Sequence, residues 1–322
     1  MVATLEPRPH LGLVCITASP QIRFRTITRT NYLRLEPTAR LEKLRELYAS
    51  NTAKLLEALD FCLASGIGLY RLTSQLFPMH DLDDGVGAMA LEEIASLLPE
   101  VGRRSALYGI RVVIHPEQFV VLSSDSPEIA QNAVALLEGH ARHLDLMGLP
   151  RTQWTMLLIH GGKGGRPDAL VKRIAALPNN VRHRLALEND EHAYRAQAML
   201  EVCQRSGVPM VFDAHHHVIH EKLDSYEHPS IAQFTQAARA TWSDPAWQIV
   251  HLSNGKERFA DRRHSDLIDQ FPSAFLNVPF VEIEAKAKEV AILELRERLL
   301  KNPPVLNMTR DPPPEPAFPD SE

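Results

Sequence analysis

Six consecutive apolar segments of this chain each end in a side chain that can bind a metal ion. These residues are His115, His160, Glu188, Asp213, His251 and Glu284, and a further histidine, His216, follows Asp213 closely. Imidazoles and carboxylates without cysteine favour Mn²⁺ or Zn²⁺ over a structural thiolate site. Seven ligands are too many for one ion, so the pattern predicts a cluster of two or three divalent metals.

Convergent carboxylates and imidazoles would repel one another or stay desolvated and unpaired unless a cation lay among them. A cluster of two or three metals activates water and stabilises a leaving oxygen in phosphodiester hydrolysis. Any one of these residues alone is as well explained by core packing, helix capping or pairing with an arginine. The shared position at six segment ends is what indicates a common metal site.

Eight short β-rich apolar runs alternate with longer amphipathic stretches, as parallel strands covered by helices would. The runs are HLGLVCIT (10–17), LYRLTS (69–74), RVVIHP (111–116), TMLLIHG (155–161), RLALEND (184–190), PMVFDAHH (209–216), WQIVHLS (247–253) and FVEIEAK (280–286). Eight such strands close a barrel, so we predict an α/β fold of the (β/α)8 TIM-barrel type. All strand carboxyl ends would then lie on one face and bring the ligand residues together.

Local signals support the helices between these runs. Ser126 followed by Pro127 is a helix start, and a stripe of leucines predicts a helix over about 38–65 that Gly66 ends. Strand alternation would place Asp213 and not His216 on the inner face, so we expect a bend at the strand end to bring His216 into the site.

The composition is that of an ordinary globular protein, with 322 residues, 44% hydrophobic and 23% charged. We expect one barrel domain over 1–302 and a disordered Pro-rich tail over 303–322. The net charge is −5, but the last twelve residues hold four acids, leaving 35 basic against 36 acidic residues elsewhere. Charge therefore does not exclude DNA as a partner.

No apolar run approaches the ~18 residues of a membrane span, and no secretory signal begins the chain. We expect a cytoplasmic protein. The cysteines Cys15, Cys62 and Cys203 are odd in number and widely spaced, so we expect core packing and no disulfide framework.

Six motifs carry a resemblance to a known family. They are HPEQF (115–119), ALEND (186–190), VFDAHHH (211–217), VHLS (250–253), RHSD (263–266) and EAKAKE (284–289). With these motifs in order, the chain from about 10 to 298 resembles the UV damage endonuclease family. The resemblance implies a barrel related to endonuclease IV, with a trinuclear metal site that usually holds Mn²⁺. Zn²⁺ and Co²⁺ are the alternative ions.

The resemblance also implies a function: a DNA repair endonuclease that incises damaged duplex DNA on the 5′ side of ultraviolet photoproducts. Such an enzyme would be nucleoid-associated and monomeric and would need no nucleotide cofactor. The same motifs leave other readings open, namely a general abasic-site endonuclease, a sugar isomerase of the same barrel superfamily, or a catalytically impaired protein that binds damaged DNA.

Carried over residue by residue, the family's site places His115, His160 and Glu188 on one ion. Glu188 would bridge to a second ion completed by Asp213, His251 and Glu284, and His216 and His264 would belong to a third. Glu188 and His160 would be central to catalysis. Lys286 and Lys288 follow Glu284 closely and are candidates to steady the phosphate, although both are as well explained as ordinary surface lysines.

Lesion recognition would use other residues. The resemblance points to Gln118 and Phe119, and a basic loop interleaved with aromatics suits nucleic acid; its residues are Arg23, Arg25, Arg29 and Tyr32. Two positions depart from the family: Leu13 replaces an aromatic residue, and Ile249 replaces a lysine.

Overall fold

Eight parallel strands pair in chain order and close into a barrel, because the last strand pairs with the first. The structure is a computed structural model that describes residues 9–116 and 120–300. The strands are β1 (His10–Val14), β2 (Leu69–Leu72), β3 (Arg111–Ile114), β4 (Leu157–His160), β5 (Leu185–Glu188), β6 (Met210–Asp213), β7 (Ile249–Leu252) and β8 (Phe280–Ile283). The predicted (β/α)8 TIM barrel is confirmed. Gln118, Phe119 and the predicted tail over 303–322 lie outside the described residues.

Helices connect the strands on the outside of the barrel. They are α1 (Arg29–Leu33), α2 (Pro37–Ala64), α3 (Val86–Glu93), α4 (Pro99–Tyr108), α5 (Pro127–Leu146), α6 (Pro167–Ala175), α7 (Asn179–Arg182), α8 (Ala196–Ser206), α9 (Ala214–Glu221), α10 (Pro229–Arg239) and α11 (Glu289–Leu295). Short 3₁₀ turns span Ala95–Leu97, Pro245–Trp247 and Ser273–Phe275, and a π-helical turn spans Arg296–Leu300. The start of α5 confirms the predicted cap, since Ser126 Oγ accepts a hydrogen bond from the Ile129 amide.

Strand residues alternate between two apolar layers. One face of each strand packs against the helices in a large buried cluster, and the opposite face fills the barrel interior with a smaller cluster. The interior cluster includes Leu69, Val113, Leu158, Ala186, Val211 and Ile249. Two residues further along each of these strands, on the same face, comes a polar side chain. The polar layer therefore lies directly above the interior apolar layer, at the carboxyl ends of the strands.

Arg111 closes the opposite end of the interior. Its side chain is wholly buried, and its guanidinium donates to the carbonyls of Trp154 (2.7 Å), Trp247 (2.5 Å) and Gln153 (2.7 Å). It also lies 5.0 Å from the ring centroids of Trp154 and Phe280. Burial lowers the pKa of Arg111 to about 9, so the group still carries its charge at neutral pH.

All three cysteines are free, as expected from the sequence. Cys62 and Cys203 are buried, whereas Cys15 is half-buried just after β1, so the expectation of core packing is confirmed for two of the three. Within the described ranges, no helix combines the length and apolar character needed to cross a bilayer.

We predict that Arg111→Met lowers the free energy of unfolding by at least about 3 kcal/mol, because it leaves three buried carbonyls without a donor. Urea unfolding measures the change. Arg103→Met is the matched control, since Arg103 is exposed and forms a surface ion pair with Glu100, and should change stability by less than about 0.5 kcal/mol. An unchanged midpoint for Arg111→Met would show that the buried guanidinium does not stabilise the barrel.

Candidate metal centre

The six polar residues predicted at the strand ends come together on the carboxyl-end face of the barrel. We call this site, formed by His115, His160, Glu188, Asp213, His251 and Glu284, the polar bowl. Strand register explains the convergence: His160 pairs with Glu188 across β4 and β5, and Asp213 pairs with His251 across β6 and β7. Glu188, Asp213 and His251 are completely shielded from solvent, and the other three are half-buried.

Glu188 lies at the centre of the polar bowl and contacts four imidazoles. Its Oε2 is 3.3 Å from His115 Nε2 and 3.9 Å from His160 Nε2. Its Oε1 is 2.9 Å from His251 Nδ1 and 3.6 Å from His216 Nδ1. Burial alone would raise the pKa of Glu188, but the surrounding imidazoles hold it well below its usual range. The carboxylate is therefore ionised and shared by the whole site.

The six residues of the polar bowl and His216 form three groups, and within each group the ligand atoms lie within 4.8 Å of one another. They are His115, His160 and Glu188; then Glu188, Asp213 and His216; then Asp213, His251 and Glu284. Glu188 belongs to the first two groups and Asp213 to the last two. The site is thus a linked series of three overlapping ligand sets.

His216 reaches the site through a helix and not through the bend expected from the sequence. Helix α9 begins directly after β6, and the Asp213 carboxylate caps it by accepting a hydrogen bond from the His216 amide (2.7 Å). The first helical turn brings the imidazole back over the strand end, with Nδ1 3.7 Å from Asp213 Oδ2. Burial lowers the pKa of His216, but Asp213 and Glu188 outweigh it and raise the pKa to about 9.

The neighbouring histidines have other partners. His215 is buried, with Nδ1 2.5 Å from the Tyr226 hydroxyl and Nε2 2.8 Å from the Asp261 carbonyl. His217 Nε2 lies 2.9 Å from Ser230 Oγ. Of the HHH run, the structure brings only His216 into the polar bowl.

His264 lies at the rim of the polar bowl. An isolated antiparallel bridge to Gly255 positions it, and its Nδ1 is 2.9 Å from the Glu284 carbonyl and 3.8 Å from Glu284 Oε2. Among the described residues, His216 forms a ligand group with Glu188 and Asp213, while the loop after β7 holds His264 beside Glu284. The assignment of His216 and His264 to one ion stays a prediction.

A second layer of charge, which the sequence analysis missed, supports the ligands. Arg71 donates to both carboxylate oxygens of Glu282 (2.8 and 3.0 Å) and also to Glu284. Glu282 Oε2 lies 2.5 Å from His251 Nε2, which turns His251 Nδ1 toward Glu188 and Glu284. The available signal was a charged residue inside each of two apolar runs, on the inward face.

The two departures from the family have clear places in the fold. Ile249 lies in the apolar interior layer, two residues before His251 on the same face of β7, and is wholly buried. Leu13 is also wholly buried but faces the helices. Leu13 therefore packs in the outer core, away from the polar bowl.

The donor set of the polar bowl fits divalent metal ions. Asp213 Oδ2 is buried and, among the residues that the structure describes, has no hydrogen-bond partner. Burial raises the pKa of Asp213 to about 6, so its charge is stabilised poorly by the protein alone. A buried carboxylate oxygen left in this way is costly unless a cation binds it. Oxygen and imidazole ligands without thiolates suit Mn²⁺, Zn²⁺ or Co²⁺.

Two lysines follow β8 near the polar bowl, and the structure separates them. The side chain of Lys286 is exposed. Lys288 is half-buried, its backbone adopts a left-handed φ of 56°, and burial lowers its pKa while Arg71 and Glu284 lie within electrostatic range. Both lysines were candidates for the phosphate role from the sequence, and the structure shows that Lys288 is the more buried of the two.

Two residues of the predicted DNA-binding loop make contacts within the protein itself. Arg23 donates to the carbonyls of Thr17 (2.6 Å) and Ala18 (3.0 Å). Tyr32 is wholly buried, and its hydroxyl donates to Asp84 (2.7 Å), so its ring offers no open stacking surface. Arg25 and Arg29 are exposed, Arg25 pairing with Glu46 at 2.9 Å.

Comparisons with known proteins identify the family of this chain. A family model described as UV-endonuclease UvdE matches residues 9–310. The UV DNA damage endonuclease of Nostoc sp. is 52% identical over 289 residues, covering 90% of each chain. That of Deinococcus radiodurans is also 52% identical, over 92% of this chain and 97% of its own. The crystal structure of SacUVDE superposes with a TM-score of 0.76 at 24% identity, over 90% of this chain and 98% of its own, so the fold is shared. The chain belongs to the UV-endonuclease UvdE family.

Proposed function

We propose that this protein is a metal-dependent DNA repair endonuclease that hydrolyses the phosphodiester on the 5′ side of ultraviolet photoproducts in duplex DNA. Family membership makes it an endonuclease, which is a phosphodiester hydrolase. The lesion, the side of incision and the need for metal are the proposal. The observation that carries it is the linked series of imidazole and carboxylate groups in the polar bowl.

One divalent ion would be held by the first ligand group, which is His115, His160 and Glu188. A second ion would be held by the group of Asp213, His251 and Glu284. His216, which shares Glu188 and Asp213, supports a third. Bound divalent ions, of which Mn²⁺ fits the donor set, would supply Lewis-acid activation of water and compensation of charge on the leaving oxygen. Glu188 and His160 are the catalytic residues of the proposal.

The chain's own cations would orient the DNA backbone. Lys288 is half-buried and the charges of Arg71 and Glu284 affect its pKa, so we assign its ammonium the contact to a phosphate in the polar bowl. Exposed Arg25 and Arg29 offer further contacts to phosphates outside the site.

Recognition of the lesion requires residues that fill the gap left by a flipped dimer. Gln118 and Phe119, which follow His115 by three and four positions, remain our proposal for this role. In the sequence they closely follow His115, a member of the first ligand group. The partner is damaged double-stranded DNA, acted on by a monomer.

In the presence of Mn²⁺ we expect the protein to nick ultraviolet-irradiated supercoiled plasmid and to leave untreated plasmid intact. Chelation of divalent ions should abolish nicking. Gel electrophoresis of the relaxed product measures both, and mapping the cut strand on a defined photoproduct oligonucleotide reports the side of incision. Equal nicking of irradiated and untreated plasmid would refute lesion specificity.

The matched variants for this assay are His160→Ala and His183→Ala. His160 lies in the polar bowl, whereas His183 is exposed at the end of α7. We expect His160→Ala to lower nicking by about 10³-fold or more, since it removes a ligand of the first group, and His183→Ala to have no effect. Retained turnover in His160→Ala would remove this residue from the mechanism.

Glu188→Gln tests the metal proposal directly. Because Glu188 belongs to two ligand groups, we expect the variant to retain at least one Mn²⁺ equivalent fewer than the wild type after gel filtration. Elemental analysis gives the stoichiometry and circular dichroism verifies the fold. Glu201→Gln, on the exposed face of α8, is the control. The same stoichiometry in both variants would contradict a ligand role for Glu188.

The two lysines after β8 provide a comparison of near neighbours. We expect Lys288→Met to lower the nicking rate by about tenfold or more, since it removes a partly desolvated cation beside the polar bowl. Lys286→Met should change the rate less than about threefold. The opposite order would assign the phosphate contact to Lys286.

A further inference from the structure

A second cluster of histidines lies outside the polar bowl. His80 lies in the segment between β2 and α3, and His140 and His143 lie one turn apart on α5. A separation of three residues places two helical side chains on one face. None of the three belongs to a ligand group of the polar bowl, and together they form a group of their own with ligand atoms within 4.8 Å. We call them the three-histidine cluster.

The three rings are in mutual contact. The ring centroid of His80 lies 4.5 Å from that of His143 and 5.2 Å from that of His140, and the centroids of His140 and His143 are 5.7 Å apart. Adjacent imidazoles are a poor choice for packing alone, because each carries two polar nitrogens that need partners. They are the ligands that Zn²⁺ and similar ions prefer.

Hydrogen bonding and backbone geometry orient His80 as a metal ligand. Its Nδ1 lies 3.0 Å from the Phe77 carbonyl, and donation to that oxygen sets the tautomer whose lone pair is on Nε2. Metal-binding histidines commonly donate their second ring nitrogen to a carbonyl in this way. A Cβ built on Gly139 would lie 3.1 Å from His80 Nε2, so glycine leaves the space that this nitrogen occupies beside α5.

His140 supplies the second observation. Its side chain is buried, and its Nδ1 has no hydrogen-bond partner among the residues that the structure describes. Burial and the neighbouring His80 lower the pKa of His140 to about 3, so the ring is a neutral imidazole. A buried polar nitrogen without a partner costs about 1–3 kcal/mol, and coordination of a cation would remove that cost.

We propose that His80, His140 and His143 bind one Zn²⁺-like divalent ion, separate from the ions of the polar bowl, with solvent as the fourth ligand. His80 is half-buried, so the cluster lies near the surface of the protein, from which a solvent ligand would enter. Tetrahedral coordination at about 2.0–2.1 Å brings imidazole nitrogens to roughly 3.3 Å from one another, a separation compatible with ligand atoms that all lie within 4.8 Å in this structure.

The role of this ion is structural. The segment that carries His80 is already attached to α2, since the Tyr48 hydroxyl donates to the Pro78 carbonyl (2.8 Å) and the Asn51 amide to the Leu76 carbonyl (2.8 Å). An ion shared with His140 and His143 would attach the same segment to α5. The ion would thereby link α2 and α5 through the segment after β2.

The test is a Co²⁺ titration of the metal-depleted full-length protein, followed by absorption spectroscopy. Relative to the wild type, His140→Leu should bind one Co²⁺ equivalent fewer and lose the visible bands of a tetrahedral imidazole site. His183→Leu, which replaces an exposed histidine, is the matched control and should bind as many equivalents as the wild type. Equal stoichiometry and equal spectra in the wild type and His140→Leu would overturn the proposal.

A second measurement covers the case in which His140→Leu does not fold. His80→Gln changes a half-buried side chain in a loop, and Zn²⁺ should raise the melting temperature of the wild type more than that of this variant. An identical Zn²⁺-dependent shift in both proteins would contradict the site. Both variants should nick irradiated plasmid as the wild type does with saturating Mn²⁺, so loss of the cluster is distinguishable from failure of the polar bowl.

Discussion

Compensation of buried negative charge is the constraint on which the centre of this protein depends. Glu188, Asp213 and Glu282 are carboxylates with essentially no solvent exposure, and an isolated buried carboxylate is too costly to remain ionised. Glu188 is surrounded by imidazoles, and Glu282 is held between Arg71 and His251. Asp213 is compensated least, because its pKa is raised to about 6 and its Oδ2 has no hydrogen-bond partner among the described residues. The weakest compensation thus falls where two ligand groups overlap.

The barrel stabilises this arrangement of buried charges by separating its interior into layers. Arg111 and its aromatic neighbours fill one end, apolar residues such as Ile249 fill the middle, and charge is confined to the carboxyl ends of the strands. The buried middle layer therefore separates the ligands from the Arg111 end of the interior. The apolar layer between strands and helices supplies the hydrophobic burial that offsets the cost of the polar layer.

The features that the sequence predicted correctly are those that depend on periodicity. Eight apolar runs separated by helical patterns define the closed barrel, and the parallel arrangement alone brings His115, His160 and Glu188 together. The route of His216 was not predictable in the same way, since alternation within a strand says nothing about where a helix begins. Its position follows from Asp213 acting as the cap of α9.

Other features escaped prediction because they depend on contacts between strands that are distant in sequence. Arg71 on β2 contacts Glu282 on β8, more than two hundred residues away in the sequence. In the sequence, neither residue can be distinguished from any other charged residue on a strand. Tyr32 was misjudged for a related reason, since an aromatic residue in a basic loop can equally be a buried anchor, here bonded to Asp84.

The layered interior also explains how a strand position can change without loss of the site. Ile249 lies in the apolar layer below His251. A long polar side chain at this position would have to extend through that layer to reach the ligands. In this chain His251 is instead oriented from the side, by Glu282, which Arg71 fixes in turn. A ligand supported through its second ring nitrogen keeps its orientation whatever lies below it. The support of the polar bowl therefore comes from β2 and β8, and it remains in place with isoleucine at position 249.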